Sequence, residues 1–523
     1  RGSNLAATRV GADGLIEKGR ENLLLQSNQF GTTWTTSNTS VTSGQLGYDG
    51  SSNAWLLEAT GTSSTRVQQT ISLDSVQTIS VYAKKGTSDY FQIRLSGAST
   101  AFAFFDLANG TLGTLSNQVD ASITSVGNGW YRCSLTRVGA ATSARIYVTR
   151  NNTTSVSVGD NILIQDAQLE VGLVATDVIE TTTTTGTAGI LENTPRFNYS
   201  NGASCPSLLL EPSRTNLFAY SEYYAAGQWA NTDVSLTTNY ALSPEGKMNA
   251  SLWEFPTTNI AARIQYVLGG VTAGVTYTQS YYIKSLSGDL TLRIGTSGAV
   301  AGEFEDITAT SEWKRFDFTS VASGTTEYPR IQNISGTQGA QILVYGAQME
   351  QGSYPTSYIP NNSGGTITRA ADVCGDAGDA NTFNSTEGVL YAEIAALADD
   401  GTNRYISIND GNPTNLVSIA FFNNSDIRAR IVIGGTTTYL SSGVITQTET
   451  LKIALKYKLN DYALWVNGVE VDSNISLGVF APNTLTRVDF GRYIINDFYG
   501  KTKQVITFNT ALSDADLAAL TTI

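Results

Sequence analysis

The chain has 523 residues and a formal net charge of −13, with only 15% of its residues charged. Its 41% hydrophobic content, including 25 Tyr and 18 Phe, is enough for packed cores and excludes wholesale disorder. Histidine is absent and cysteine occurs three times, which excludes imidazole-based nucleophile triads, His-ligated zinc, a four-thiolate zinc site and a disulfide framework.

The polar remainder is rich in Ser, Thr, Asn, Gly and Gln, residues that favour strands and turns over helices. Cys133, Cys205 and Cys374 lie far apart and read as reduced thiols. The acidic balance argues against nucleic acid as a partner. No apolar run reaches the about 18–20 residues of a membrane span, so membrane insertion is not expected. The chain opens at Arg1 without a visible signal peptide, which leaves room for an upstream segment.

The first strands in chain order are Thr78–Ala83, Tyr90–Leu95, Trp130–Leu135 and Ala144–Val148, β-branched or aromatic runs. Asp49-Gly50, Asn109-Gly110 and Asn128-Gly129 mark turns around them. Glu180–Gly189, with five consecutive threonines, reads as an extended linker. Beyond it the pattern starts again. Glu17, Arg20, Asn22 and Leu23 align with Glu211, Arg214, Asn216 and Leu217. Trp34 meets Trp229, Asn53 and Glu58 meet Asn249 and Glu254, and Ser80–Lys84 meets Ser280–Lys284. Trp130 meets Trp313, and Ile162–Glu170 meets Ile342–Glu350. The order never breaks, so one globular domain is present twice. The spacing drifts between matches, where loops tolerate insertion.

Residues 375–523 are not a third copy. Glu387–Ile394, Arg404–Asn409 and Leu451–Tyr457 read as strands, and Asp461–Val471 as a hairpin about Asn467-Gly468. Leu512–Leu520 is the one good helix, capped by Ser513. The predicted organisation is all-β, serial antiparallel sandwiches: a jelly roll over 1–180, the linker over 181–189, a second jelly roll over 190–374, and a concanavalin-like sandwich over 375–523.

The Leu-Leu-Glu-Pro-x-Arg-Thr-Asn-Leu run at Leu209–Leu217, with Trp229, Gly346–Gly352, Thr356–Pro360 and Thr368–Asp372, resembles a module of bacteriophage virion proteins such as tail fibres, tail spikes and head or neck appendages. That module resembles a carbohydrate-binding jelly roll. Ala463–Gly468, Phe498–Gly500 and Leu512–Leu517 resemble a concanavalin/laminin-G sandwich. The likeness covers nearly the whole chain. It implies a structural protein of the extracellular phage particle, without enzymatic activity, with host cell-surface polysaccharide and other virion proteins as partners. It also implies a homotrimer. The first copy departs from the pattern, because Val171–Asp177 replaces the Ser-Tyr-Pro-Thr-Ser-Tyr stretch.

Sugar binding needs exposed rings beside amides, carboxylates or arginine. Tyr354, Tyr358, Tyr405, Tyr439 and Tyr493 are the glycan-binding candidates, and core packing is the competing reading for each. The oxygen-rich loops holding Asp376, Asp379, Asp399 and Asp400 are either calcium ligands or solvated acidic turns, and none matches EF-hand spacing. The repeated tryptophans and the Asn22/Asn216 pair are expected to serve structure. The repeated pairs Glu58/Glu254 and Glu170/Glu350 could in principle serve as glycosidase carboxylates, but two identical catalytic copies are not expected. Three function classes follow: a glycan-binding appendage first, then a head or neck decoration making protein contacts, then a polysaccharide depolymerase.

Overall fold

A computed structural model describes residues 5–191, 193–199, 202–297, 303–423, 425–493 and 497–523. The chain forms serial antiparallel β-sandwiches, and among the described residues no helix is long and apolar enough to cross a membrane. In the first sandwich, Arg66–Lys85 and Trp130–Thr149 are both 20 residues long and cross from one layer to the other. One layer runs in the order Thr39–Gln45, Ala54–Ala59, Asn161–Val171, the second half of Arg66–Lys85 and the first half of Trp130–Thr149. The other runs Thr35–Ser37, the remaining halves of the two long strands, Tyr90–Ser96, Ala101–Asp106 and Thr111–Ser116. Alternate side chains, among them Val67, Ile93, Phe105, Ile146 and Ile164, fill the core between the layers.

The second sandwich repeats this order. Ser235–Ala241, Ala250–Phe255, Ala340–Gln351, Thr276–Ser285 and Lys314–Val321 form one layer. Trp229–Thr232, Arg263–Tyr266, Arg330–Asn333, Leu290–Thr296 and Glu303–Ala309 form the other. Here the long strands are broken, so the two sheets are separate. Trp253, Tyr281, Ile294 and Ile331 lie at the centre of the core.

The repeated polar residues are locks. Asn22 donates to the Ala167 and Ile179 carbonyls and accepts from the Leu24 and Leu169 amides. Asn216 does the same with Ala347, Ile359, Phe218 and Met349. The Thr176 amide and hydroxyl donate to Glu170, as those of Thr356 do to Glu350.

The Thr-rich stretch is tied to the first copy at both ends, with Thr182–Thr185 exposed between them. Thr181 donates to the Leu24 carbonyl and accepts from the Ser27 amide. Gly186–Gly189 then pairs with Ile16–Asn22, as Ile367–Arg369 pairs with Arg214–Asn216. It closes the first copy the way the Thr368–Arg369 motif closes the second.

The third sandwich packs a seven-stranded sheet on a five-stranded one around Leu390, Ile406, Phe421 and Leu464. Helix Asp514–Thr521, with Ser513 accepting from the Asp516 amide, covers Tyr391 and Trp465 on the outer side of the larger sheet. Ser207–Leu210, which precedes the second copy's core, adds to this sheet by pairing with Gly500–Phe508. Cys133 is buried, Cys205 exposed and Cys374 half-buried, and all three are free thiols.

Two buried ion clusters tie the units together. Lys18 reaches Glu222 and, at 2.7 Å, Glu245, while Arg20 also pairs with Glu245. Burial pulls the Lys18 ammonium down to about 8, with Glu222 opposing that shift. The unfolded chain keeps this proton up to the ordinary value of 10.5, the folded chain only to about 8. The burial cost is therefore fully present below pH 8, and this group's contribution to stability rises with pH between about 8 and 10.5. Melting curves at pH 7.5 and 9.5 should show the wild type gaining on Lys18→Met over that interval; a constant gap would refute the linkage.

Candidate functional site

Strand alternation that sends Val67, Ile93 and Ile146 inward sends their neighbours out. On the outer face of the first copy's second layer, Gln68, Arg145, Arg94 and Phe102 stand in one row across the strands. Arg66, Tyr147, Gln92 and Phe104 form the next, in which Tyr147, Gln92 and Phe104 are buried and the guanidiniums lie outermost. The Arg94 guanidinium lies 4.9 Å from the Tyr147 ring centre and 5.5 Å from that of Phe102, and Arg66 lies 5.7 Å from Tyr147. Arg66 donates from Nε to Gln68 at 2.8 Å, and Arg145 donates to the Tyr147 and Ser143 hydroxyls. The side chains are thus held against one another by stacking and hydrogen bonds.

The same face exists in the second copy. Arg263 donates from Nε to Gln265 at 3.0 Å, repeating the Arg66–Gln68 pair. The rows are Gln265, Arg330, Gly295, Phe304 and Arg263, Gln332, Arg293, Asp306. Gly295 occupies the place of Arg94 at φ +154, and a Cβ there would strike the Glu303 carbonyl. That gap lets Arg330 cross the strand and stack 4.4 Å above Phe304. Burial first, and then the Arg263 and Arg293 guanidiniums, push Arg330 below the ordinary arginine value. Arg293 forms a two-point pair with Asp306 at 2.7 and 3.0 Å. Among the described residues, no hydrogen bond or ion pair from another sandwich reaches either face.

In the third sandwich the outer face of the five-stranded sheet gathers three of the predicted tyrosines. Arg492 lies 5.9 Å from Tyr405 and 5.6 Å from Tyr493, and Arg430 stands opposite Tyr439 in the ladder. Arg430 leaves Nε and Nη1 buried without a partner. Tyr405 is covered at 2% exposure, so Tyr439, at 47%, is the ring turned to solvent. Tyr493, half-buried, adopts φ 57 beside Arg492.

The second-copy candidates are corrected by the structure. Tyr358 is 1% exposed and holds Ser221 and Glu222 through its hydroxyl, while Tyr354 is buried beneath Arg214. They pack the junction because Thr356–Pro360 threads between the ion clusters. Trp313 and Tyr282 line a cavity of about 550 Å³ in that junction with Arg9 and Arg315.

The calcium candidates do not converge either. Asp376 pairs with Arg487, and Asp379 closes a turn by accepting from Thr382. Asp399 accepts from Ser425, and Asp400 pairs with Arg404 at 2.7 Å. Among the described residues no three acidic or thiol side chains come together as a cation site. Glu58 and Glu254 each accept from one side-chain amide, Asn161 and Gln341 respectively.

The arginine faces were not singled out from the sequence. The available signal was the recurrence of Arg-Val-Gln at Arg66–Gln68 as Arg-Ile-Gln at Arg263–Gln265.

No protein-family model matches the chain, and no curated protein does. Among solved structures it is similar to the CBM40 carbohydrate-binding module of the Ruminococcus gnavus IT-sialidase, at 16% identity over 28% of this chain and 94% of that one, with a TM-score of 0.26. It is also similar to the tandem CBM22-1–CBM22-2 domain of Paenibacillus barcinonensis Xyn10C, at 12% identity over 63% and 98% of the two chains, with a TM-score of 0.23. A third likeness is to the CBM22-1–GH10 modules of Clostridium thermocellum xylanase 10B, at 16% identity over 28% and 29%, with a TM-score of 0.21.

Proposed function

We propose that the chain is a non-catalytic, glycan-binding structural protein of a bacteriophage particle, a fibre-type appendage that offers its arginine–aromatic faces to polysaccharide on the host cell. The observation that carries this reading is the face built twice, with Arg66, Gln68, Arg145 and Phe102 in one copy and Arg263, Gln265, Arg330 and Phe304 in the other. None of these side chains belongs to a core. Aromatic faces receive the C–H side of a sugar ring, and planar amides and guanidiniums match its hydroxyls with paired hydrogen bonds. The repeated Glu170 and Glu350 support a non-catalytic role, because each is occupied by the amide and hydroxyl of one threonine.

The particle assignment, the virion location and the homotrimer rest on the Leu209–Leu217 and Thr356–Pro360 resemblance. Several copies would multiply weak single-site binding through effective concentration.

Affinity electrophoresis of the 523-residue protein through gels containing a panel of bacterial and plant polysaccharides tests the reading. Retardation by at least one polymer is expected. The double variant Arg145→Ala, Arg330→Ala should lose at least tenfold in affinity, about 1.4 kcal/mol, while still unfolding in a cooperative melting transition. Undiminished retardation of that variant would place the site elsewhere.

A further inference from the structure

The two repeated faces differ in charge. In the first copy Arg66, Arg94 and Arg145 share one patch, and among the described residues no carboxylate pairs with any of them. Arg94 and Arg145 stand directly opposite each other in the antiparallel ladder. Like charges in that position destabilise a sheet. Asp106, an acid on the strands of that face, is already engaged by the Tyr90 hydroxyl, the Asn109 side chain and the Ala108 and Asn109 amides. Among the described residues these guanidiniums therefore have rings and hydroxyls but no carboxylate as partners, in a chain whose formal net charge is −13.

The second copy differs at two positions of this face. Gly295 stands opposite Arg330, and Asp306 neutralises Arg293. Among the described residues the first face thus carries three guanidiniums and no paired carboxylate, the second three guanidiniums and one, with Arg263 and Arg330 left without an acid partner.

We infer that the first-copy face takes an acidic polysaccharide whose repeating sugar carries a carboxylate. This rests on the glycan-binding reading and names the ligand class for one of its faces. Guanidiniums present a planar fork that binds a carboxylate through two parallel hydrogen bonds. Tyr147 lies between Arg66 and Arg94 and holds both against its ring, so the forks are ordered in advance. Phe102 at the end of the row supplies the face on which the sugar ring stacks. Binding an anion also removes the Arg94–Arg145 repulsion.

The test compares three acidic polymers, polygalacturonate, alginate and hyaluronate, each with its methyl-esterified form, using the full chain at 50 and 300 mM NaCl. At least one acid is expected to bind ten or more times tighter than its ester, with affinity falling as salt rises. Arg94→Gln should lose about tenfold on that acid, and Lys458→Gln, at a surface cation outside both faces, less than twofold. If Arg94→Gln melts early, Arg66→Gln provides the same reading from a position at the edge of the patch. Equal affinity for acid and ester, or binding to neutral polymers alone, overturns the acidic assignment and leaves the glycan reading standing. No retardation by any polymer defeats the glycan reading itself. Heparin and duplex DNA binding as tightly as the best polyuronate would show general polyanion exchange and overturn the carboxylate assignment.

Discussion

Glu211→Ala is expected to lower stability by about 3–5 kcal/mol, because it strips the shared partner from two buried arginines. Glu211 accepts from Arg196 at 2.8 Å and Arg369 at 2.7 Å, and from the Ser357 amide and hydroxyl, each at 2.6 Å. All three charged side chains are at most 2% exposed. Asp372 accepts from Arg196 and from the Glu211 amide and cannot serve both guanidiniums alone. The damage should spread, because this residue sits between Ser207–Leu210, which belongs to the third sandwich's sheet, and Arg214–Asn216, which locks the second copy. Burial by itself would raise the Glu211 carboxyl; Arg369 and Arg196 outweigh it and hold it at about 2. Its contribution is therefore complete above the unfolded value near 4.5 and lost as pH falls toward 2. Urea titrations at pH 7 and pH 3 should show the gap between wild type and Glu211→Gln narrowing in acid. A Glu211→Ala variant within 1 kcal/mol of wild type would mean that the cluster is not what joins the units.

The parts of this architecture that sequence makes visible are those where side chains hold backbone. Asn22 and Asn216, Gln168 and Gln348, and Glu170 and Glu350 recur because each satisfies the same amides and carbonyls in both copies, and only that residue type can do so. Strand positions were legible for a similar reason, since alternation of apolar and polar side chains reports which residues face a core. The arginine faces were hidden by the same alternation. Arg94 and Tyr147 occupy outward positions like any solvated threonine, and only the ladder register shows that they meet Arg145, Phe102 and Gln92. The resemblance drew attention to Tyr354 and Tyr358, but nothing in a local run of letters separates a tyrosine that closes a junction from one that faces water. The Thr-rich segment was misleading because its composition is that of a linker. Its first threonine, Thr181, is held by Ser27 and Leu24, its next four are exposed, and its last residues complete a strand.

Asn22→Ala and Asn216→Ala form a matched pair of experiments supplied by the duplication. Each substitution leaves two buried amides and two buried carbonyls without the partner they have now: Leu24, Leu169, Ala167 and Ile179 in one copy, and Phe218, Met349, Ala347 and Ile359 in the other. Both asparagines are fully buried, so water does not reach these groups without opening the core. At about 1–3 kcal/mol for an orphaned buried polar group, with partial relaxation, each variant should lose about 3–5 kcal/mol. The aspartate replacement should be no better, because it keeps the acceptor and turns a second oxygen toward two carbonyls. The two alanine losses should agree within about 1 kcal/mol, since the bonded groups are the same, and should add in the double variant, since the locks lie in separate cores. Calorimetry of the two single variants and the double variant measures this. A large loss for one and a small loss for the other would show that the repeated asparagine has different tasks in the two copies, and that the duplication no longer extends to the energetics.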